Sequence, residues 1–175
     1  MAKWIIDTAH SEVAFKVRHL VISTVSGKFT SFEGTVEAEK DDFSDATISF
    51  SADVDSITTG NEQRDGHLKS ADFFDAANHA RLKFVSTSVG KKGADFLVKG
   101  DLTIKGTTKP VELTVDFGGV QKDFYGRTIA GFEINGKINR QDYGLIWSAV
   151  TETGGIVVAD EVKLHINTEL VKQEG

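Results

Sequence analysis

Asp95-Phe96-Leu97-Val98-Lys99-Gly100-Asp101-Leu102-Thr103-Ile104-Lys105 is the stretch on which the fold turns. Phe96, Val98, Gly100, Leu102 and Ile104 alternate with Leu97, Lys99, Asp101 and Thr103. Strict alternation is the mark of a strand with one buried and one wet face. At ~3.4 Å per residue the run spans about 35 Å, roughly twice a typical strand. So long an apolar face must close on itself or meet a second layer.

The same period recurs along the chain. Ile48, Phe50, Ala52 and Val54 alternate with Ser49, Ser51 and Asp53. Val111 to Phe117, Phe132 to Ile138 and Val162 to Leu170 repeat it. Successive strands without helical crossovers make an antiparallel sheet. Too little helix is expected to cover it, so the sheet should close as a barrel or pair as a sandwich. Gly34, Gly100, Gly131 and Gly136 fall inside strand patterns, where glycine often marks a bend or bulge. Lys105-Gly106 is a hairpin signal, and Pro110 is expected at a strand start. Helix is expected at 61–75, with Asn61 as N-cap, Glu62 in the first turn and Ser70 opening a second short turn. Arg18 to Ile22 is expected to form a turn, and Lys172 to Gly175 a frayed tail.

Composition narrows the function classes. The chain has 175 residues, 39% hydrophobic and 26% charged, enough for one globular domain. Twelve Phe against two Trp and two Tyr add apolar area without polar tips, which suits a dry interior. A net charge of −6 argues against a nucleic-acid partner and weakly against docking on anionic lipid. The absence of Cys excludes disulfides and thiolate metal sites. No window approaches the ~18 apolar residues of a membrane-spanning helix. The opening Met1 to Asp7 enters a strand-like segment without a basic, then apolar, leader. A cytoplasmic location is therefore expected, or a periplasmic one if a signal was removed.

Several blocks resemble one family. They begin with Trp4-Ile5-Ile6-Asp7-Thr8-Ala9-His10-Ser11, Phe15-Lys16-Val17-Arg18-His19-Leu20, Gly27-Lys28-Phe29 and Phe32-Glu33-Gly34. Asn61-Glu62-Gln63-Arg64-Asp65-Gly66-His67-Leu68-Lys69-Ser70-Ala71-Asp72-Phe73-Phe74-Asp75 is the strongest. Leu102 to Val111, Ala130-Gly131-Phe132, Asn139 to Leu145 and Asp160-Glu161-Val162 complete the set. In this order, across essentially the whole chain, they resemble the YceI-like, polyisoprenoid-binding proteins. The family often has Pro in the opening motif and after the helix, where this chain reads Thr8-Ala9 and Asn78-His79-Ala80.

The resemblance implies an all-β, extended, eight-stranded, lipocalin-like antiparallel barrel over one domain, residues 1–175, with a helical piece near 61–75. It implies a long isoprenoid or fatty chain along the axis, its head near the mouth. Isoprenoid quinones and prenyl diphosphates are the expected ligand types, with no cofactor. A homodimer agrees with it, since family members associate.

The apolar set Phe15, Val17, Phe29, Phe50, Leu68, Phe73, Phe74, Phe84, Leu102, Ile104, Phe132, Ile134 and Trp147 is the candidate tail lining. From periodicity alone a filled core is the favoured reading, because side chains fill small barrels; the resemblance reverses this and implies a hollow one. Each buried CH₂ is worth ~0.8 kcal/mol gross. Apolar burial, not polar contact, should therefore dominate affinity. His19, Arg64, His67 and Arg140 are head-group candidates. The competing role for the charged set is to pin the helix to the barrel through ion pairs.

Catalysis and metal binding find little support. Ser11 beside His10, with Asp7, Glu33 and Asp65, matches no Gly-x-Ser-x-Gly or HExxH motif. Thr153-Gly154-Gly155-Ile156 reads as a turn, without a phosphate-loop Lys. His10, His19, His67, His79 and His165 show no compact ligand spacing, so no metal site is expected. Two rival readings stay open: a small lipocalin-like enzyme acting on a lipid, and a stress-linked scaffold with a packed barrel. A titratable cluster inside the barrel would favour the first, and a filled interior the second.

Overall fold

The computed structural model describes residues 2–19, 23–147 and 158–173; of His19 only the backbone is described. The expected turns at Leu20 to Ile22 and Thr153 to Ile156 lie outside these residues. Eleven strand segments form one antiparallel sheet. They are β1 (Ala2–Ile6), β2 (Glu12–His19), β3 (Ser23–Phe29), β4 (Phe32–Ala38), β5 (Thr47–Asp53), β6 (Ile57–Thr58), β7 (Arg81–Lys92), β8 (Asp95–Ile104), β9 (Thr107–Lys122), β10 (Thr128–Asn139) and β11 (Val158–Lys172). The single α-helix among the described residues, α1, spans Glu62–Lys69.

The segments reduce to eight staves. β1 and β2 both run along β11, interrupted at Thr8–His10. β3 pairs with β2 and β4 with β1, so they form a second broken stave. β5 and β6 form a third, broken at Val54–Ser56. β7 to β11 complete the meander, and β11 pairing with β1 closes the ring. The expected eight-stranded antiparallel barrel is thus present, built by a chain that simply goes up and down.

Alternation decides what faces inward. In β8, Phe96, Val98, Gly100, Leu102 and Ile104 are all buried, as their period requires. The β8–β9 turn is Lys105-Gly106, with φ of 51° and 75°. Two successive positive φ values are what a tight hairpin matching the strand twist needs. Lys105 therefore belongs to the turn and not to the strand.

The strand glycines divide in two. Gly131 sits at the β9–β10 register shift and fits the expected bulge. Gly100 and Gly136 do a different job from the expected bends. A Cβ on Gly100 would overlap the Phe84 ring and come 2.6 Å from the Val85 carbonyl oxygen. One on Gly136 would come 2.5 Å from Leu113 Cδ2. Gly27, directly opposite Phe15, is covered by that ring in the same way. Gly34 has only ordinary to tight contact, 3.4 Å from Phe50. The bare patches let large side chains lie against the wall.

Other expectations need adjusting at element ends. The helix stops at Lys69 and does not reach residue 75, because Ser70 is extended and its hydroxyl donates to the His67 carbonyl at 2.5 Å. The segment after it is a series of turns: the Phe73 and Asp75 N–H groups both bond Ser70 O. Asn61 does cap the helix, its side-chain oxygen accepting from the Arg64 N–H at 3.0 Å. Lys172 is no frayed tail; it lies in β11, and the Gln173 N–H bonds Lys3 O at 2.8 Å. Arg18 and His19 belong to β2. Pro110 is the fourth residue of β9, paired with Asp101 of β8. Among the described residues, β9 has only β8 as a ladder partner from Thr107 to Leu113, so a missing N–H there can face away from the ladder.

The two barrel ends differ. α1, the Lys105-Gly106 turn and the 3₁₀ turn Arg140–Tyr143 lie at one, here the helix end. Among the described residues β6 pairs with β3 and not with β7, and α1 packs against β6. The β4–β5 connection, the β9–β10 hairpin tip and the start of β1 lie at the far end.

Gly100→Ala should destabilise the barrel by about 1–3 kcal/mol through overpacking against Phe84, read as a lower urea midpoint. An unchanged midpoint would mean that Phe84 has room to move.

Candidate functional site

A cavity of about 260 Å³ occupies the barrel axis, near the lower end of the ~300–1,000 Å³ common for ligand pockets. At the helix end it is bounded by Leu68, Phe73, Phe74 and Leu145, and at the far end by Ile6, Val36, Phe43 and Leu170. Val158 and Leu170 of β11 both line it. At ~3.4 Å per residue they are about 40 Å apart along the strand, or about 30 Å along the axis for the usual 35–45° barrel tilt. The interior is therefore long and narrow.

Every predicted lining side chain except Trp147 faces this cavity. Trp147 instead sits at the helix end with its ring edge-on to His67 (4.6 Å between centroids) and 5.5 Å from Phe73. Its segment is irregular, so no strand period directs it inward. Further inward positions of β8 and β9, among them Phe96, Val98, Leu113 and Val115, also line the cavity. Alternation identified these positions as inward-facing, though the candidate lining omitted them.

Phe43 had no such signal. It lies in Asp41-Asp42-Phe43-Ser44-Asp45, a polar loop between β4 and β5 with no period. It is only 4% exposed. Its ring touches Trp4 (5.0 Å), Phe117 (5.3 Å) and Phe132 (5.1 Å) at the far end.

Of the head-group candidates, His67 and Arg140 flank the same Phe73 ring, 5.0 Å and 6.0 Å from its centroid. The Arg140 side chain is the one titratable group among the described lining residues, and it is 3% exposed. Its guanidinium donates to the carbonyls of Leu145 (2.5 Å), Trp147 (2.8 Å), Ala159 (2.9 Å) and Val158 (3.3 Å), with Asp160 at 3.4 Å. Four of its five N–H donors are thus given to protein carbonyls, and the Asp160 carboxylate pairs with the remaining side of the guanidinium. Burial pulls its pKa down, and the Asp160 carboxylate opposes that. Arg64 donates to the Thr59 hydroxyl (2.8 Å) and carbonyl (2.9 Å). Asp65 accepts from the Thr59 N–H and hydroxyl. These bonds pin α1 to the end of β6. His67 Nε2 lies 2.9 Å from Asp72, with the ring edge-on to Phe73, which lines the cavity. The His19 side chain lies outside the described residues. Lys105 ties the helix end together by donating to Ala71 O (3.0 Å) and Gly144 O (3.4 Å).

Tyr143 packs into the core at the same end, 2% exposed, its hydroxyl without a partner among the described residues. Burial pushes its pKa up to about 12, so it stays an O–H donor at neutral pH. It is absent from the cavity lining.

A second cluster lies away from the cavity. Asp7, His10 and Glu169 bring ligand-type atoms within 4.8 Å of one another. His10 Nδ1 is 2.9 Å from Asp7 and 3.9 Å from Glu169, and the Arg127 guanidinium stands 3.7 Å from Asp7. A cation thus already faces these carboxylates. The hydrogen bond from His10 lowers the Asp7 pKa, and the same bond raises that of His10.

Two outcomes follow from this geometry. Arg140→Met should cost about 3 kcal/mol or more, because it strands buried carbonyl oxygens; Arg140→Lys, with fewer donors, should recover only part of it. Chemical denaturation of both variants measures this, and a wild-type midpoint for Arg140→Met would contradict it. The His10–Asp7 pair stabilises the fold fully below the ordinary His pKa of 6.5 while Asp7 is ionised, and fades as pH rises through the raised His10 value. On the acid side, Asp7 contributes above its ordinary 3.8 and its contribution is lost as pH falls through its lowered value. An NMR titration should place the His10 midpoint above 6.5, with Asp7→Asn returning it towards 6.5. A wild-type midpoint at or below 6.5 would refute this pairing.

Residues 4–170 match the profile of the YceI-like domain. UPF0312 proteins of Staphylococcus aureus and Staphylococcus epidermidis are 38% and 35% identical over 170 residues, covering 97% of this chain and 97% of theirs. The crystal structure of a Campylobacter jejuni YCEI protein is 32% identical and superposes with a TM-score of 0.76, covering 96% of each chain. A polyisoprenoid binding domain from Saccharophagus degradans, 15% identical, shares the fold with a TM-score of 0.69 over 97% of this chain and 98% of its own. The resemblance in the opening, helical and closing motifs, the eight-stave barrel and these matches agree: the chain belongs to the YceI-like family.

Proposed function

We propose that the barrel binds a long-chain isoprenoid lipid, or a fatty amphiphile of similar girth, as a carrier or sequestering protein that does no chemistry on it. The observation that carries this is the cavity itself: long, narrow and lined almost wholly by apolar side chains. Its polar lining residues are Thr35, Ser49, Thr168 and Arg140. Arg140 spends its donors on protein carbonyls. General acid–base or nucleophilic catalysis needs a titratable group with a free valence facing the substrate, and the described lining offers none. The name of the Saccharophagus degradans neighbour supports the same ligand class.

The tail enters at the helix end in this reading, with its head beside His67. With Arg140 saturated and Arg64 tied to Thr59, a neutral head such as a quinone suits the site better than a diphosphate. A diphosphate calls for several free cationic donors in one place.

Solvent extraction of purified protein followed by mass spectrometry should recover a long-chain lipid. Quinone added at 100 times its Kd should stabilise the protein by about 2.7 kcal/mol, several degrees in Tm at roughly 2–4 °C per kcal/mol. Recovery of no lipid, together with no shift in Tm or Trp fluorescence under saturating quinone or long-chain amide, would sink the proposal.

A further inference from the structure

We propose that Phe43 is a length stop: it sets how long a tail the barrel accepts. This rests on the lipid-binding reading above and deepens it.

Counting along the hydrogen-bonded order from β4, one passes β5, β7 and β8 to reach β9. From β5, four steps lead to β10. In a ring of eight, four steps is the opposite wall. Phe43 comes from the loop joining β4 to β5, yet its ring contacts Phe117 of β9 and Phe132 of β10. It therefore spans the lumen.

What it meets there completes a barrier. Phe117 and Phe132 stack on each other at 4.9 Å, and Phe43 stands edge-on to both, at 74° and 89°. Trp4 closes another side at 5.0 Å. Edge-to-face packing of this kind is favourable and well ordered. Elsewhere along the axis large rings lie back against glycines; Phe15 over Gly27 and Phe84 over Gly100 leave the centre open.

The loop is shaped to hold this ring in place. Phe43 has φ of 62°, a left-handed value that is rare for a bulky residue. The Asp45 carboxylate accepts from the N–H groups of Glu39 (2.9 Å) and Lys40 (3.1 Å). Asp42 accepts from the Ser44 N–H (3.0 Å) and pairs with Lys91 of β7 (3.3 Å). The Phe43 N–H bonds Lys40 O, and its carbonyl accepts from the Ala46 N–H, both at 3.1 Å. A strained backbone held by six such contacts on both sides is a placed residue, and what it places is an aromatic ring across the lumen.

A tail fed from the helix end passes Phe73 and Phe74, which bound the cavity there, before it reaches Phe43 at the far end. Methylenes up to the stop are buried, and those beyond are not. Affinity should therefore rise about fourfold per added methylene and then level off at a definite chain length.

The test is a homologous series of straight-chain fatty amides, titrated by calorimetry into the wild type, Phe43→Ala and Phe43→Trp. Circular dichroism confirms the fold of each variant. Levelling should come at a longer chain in Phe43→Ala and at a shorter one in Phe43→Trp. If Phe43→Ala fails to fold, the Phe43→Trp shift alone decides. The same levelling length in wild type and folded variants, or no levelling in the wild type, overturns the stop while leaving lipid binding intact. If the wild type binds no member of the series, the stop falls, and the lipid-binding reading falls with it when quinone also fails to bind.

Discussion

A closed hydrogen-bond ladder is the constraint on which this structure rests. Once β11 pairs with β1 and β2, every stave has a neighbour on each side over at least part of its length, and the period of two acquires an inside and an outside. Position in the alternation then determines which face a residue takes, for Phe96 of β8 as for Leu170 of β11. No second layer is needed to cover the apolar face, because the face covers itself. The α-helix among the described residues packs against β6 at one barrel end.

Closure alone does not leave space. Eight staves give a lumen that ordinary side chains can fill. Two local devices determine where this one stays open. Inward glycines such as Gly27, Gly100 and Gly136 let Phe15, Phe84 and Leu113 lie flat on the wall. The far end does the reverse, with Trp4, Phe43, Phe117 and Phe132 meeting across the middle. The interior is thus a channel stopped at one end, and Arg140 organises the other by gathering the carbonyls of Leu145, Trp147, Val158 and Ala159.

What could be read from the sequence follows the same division. Residues whose direction is set by strand period, such as Phe84, Leu102, Ile104 and Ile134, fell on the cavity face as expected. The Asn61 cap was legible because a cap is a local device. Phe43 was illegible: its inward direction comes from a loop conformation and from Asp42 and Asp45 contacts, none of which leaves a period. Arg140 belonged to a legible motif with an illegible role. A free guanidinium and one saturated by carbonyls up to 19 residues away have the same sequence. Trp147 lay beyond the reach of alternation because no strand carries it.

The chain's one proline has a bearing on self-association. A barrel escapes the hazard of an open sheet only where its ladder is complete, and between Thr107 and Leu113 the described residues leave β9 with a partner on one side alone. A bare strand edge is a template on which another molecule's strand can add and start an aggregate. Pro110 sits within that edge, beside the exposed Lys109. The missing N–H breaks the row of donors an incoming strand would need, and the ammonium keeps the edge hydrated. Pro110 thus stands where β9 has left its ladder with β10, and its missing N–H leaves no donor there to be satisfied.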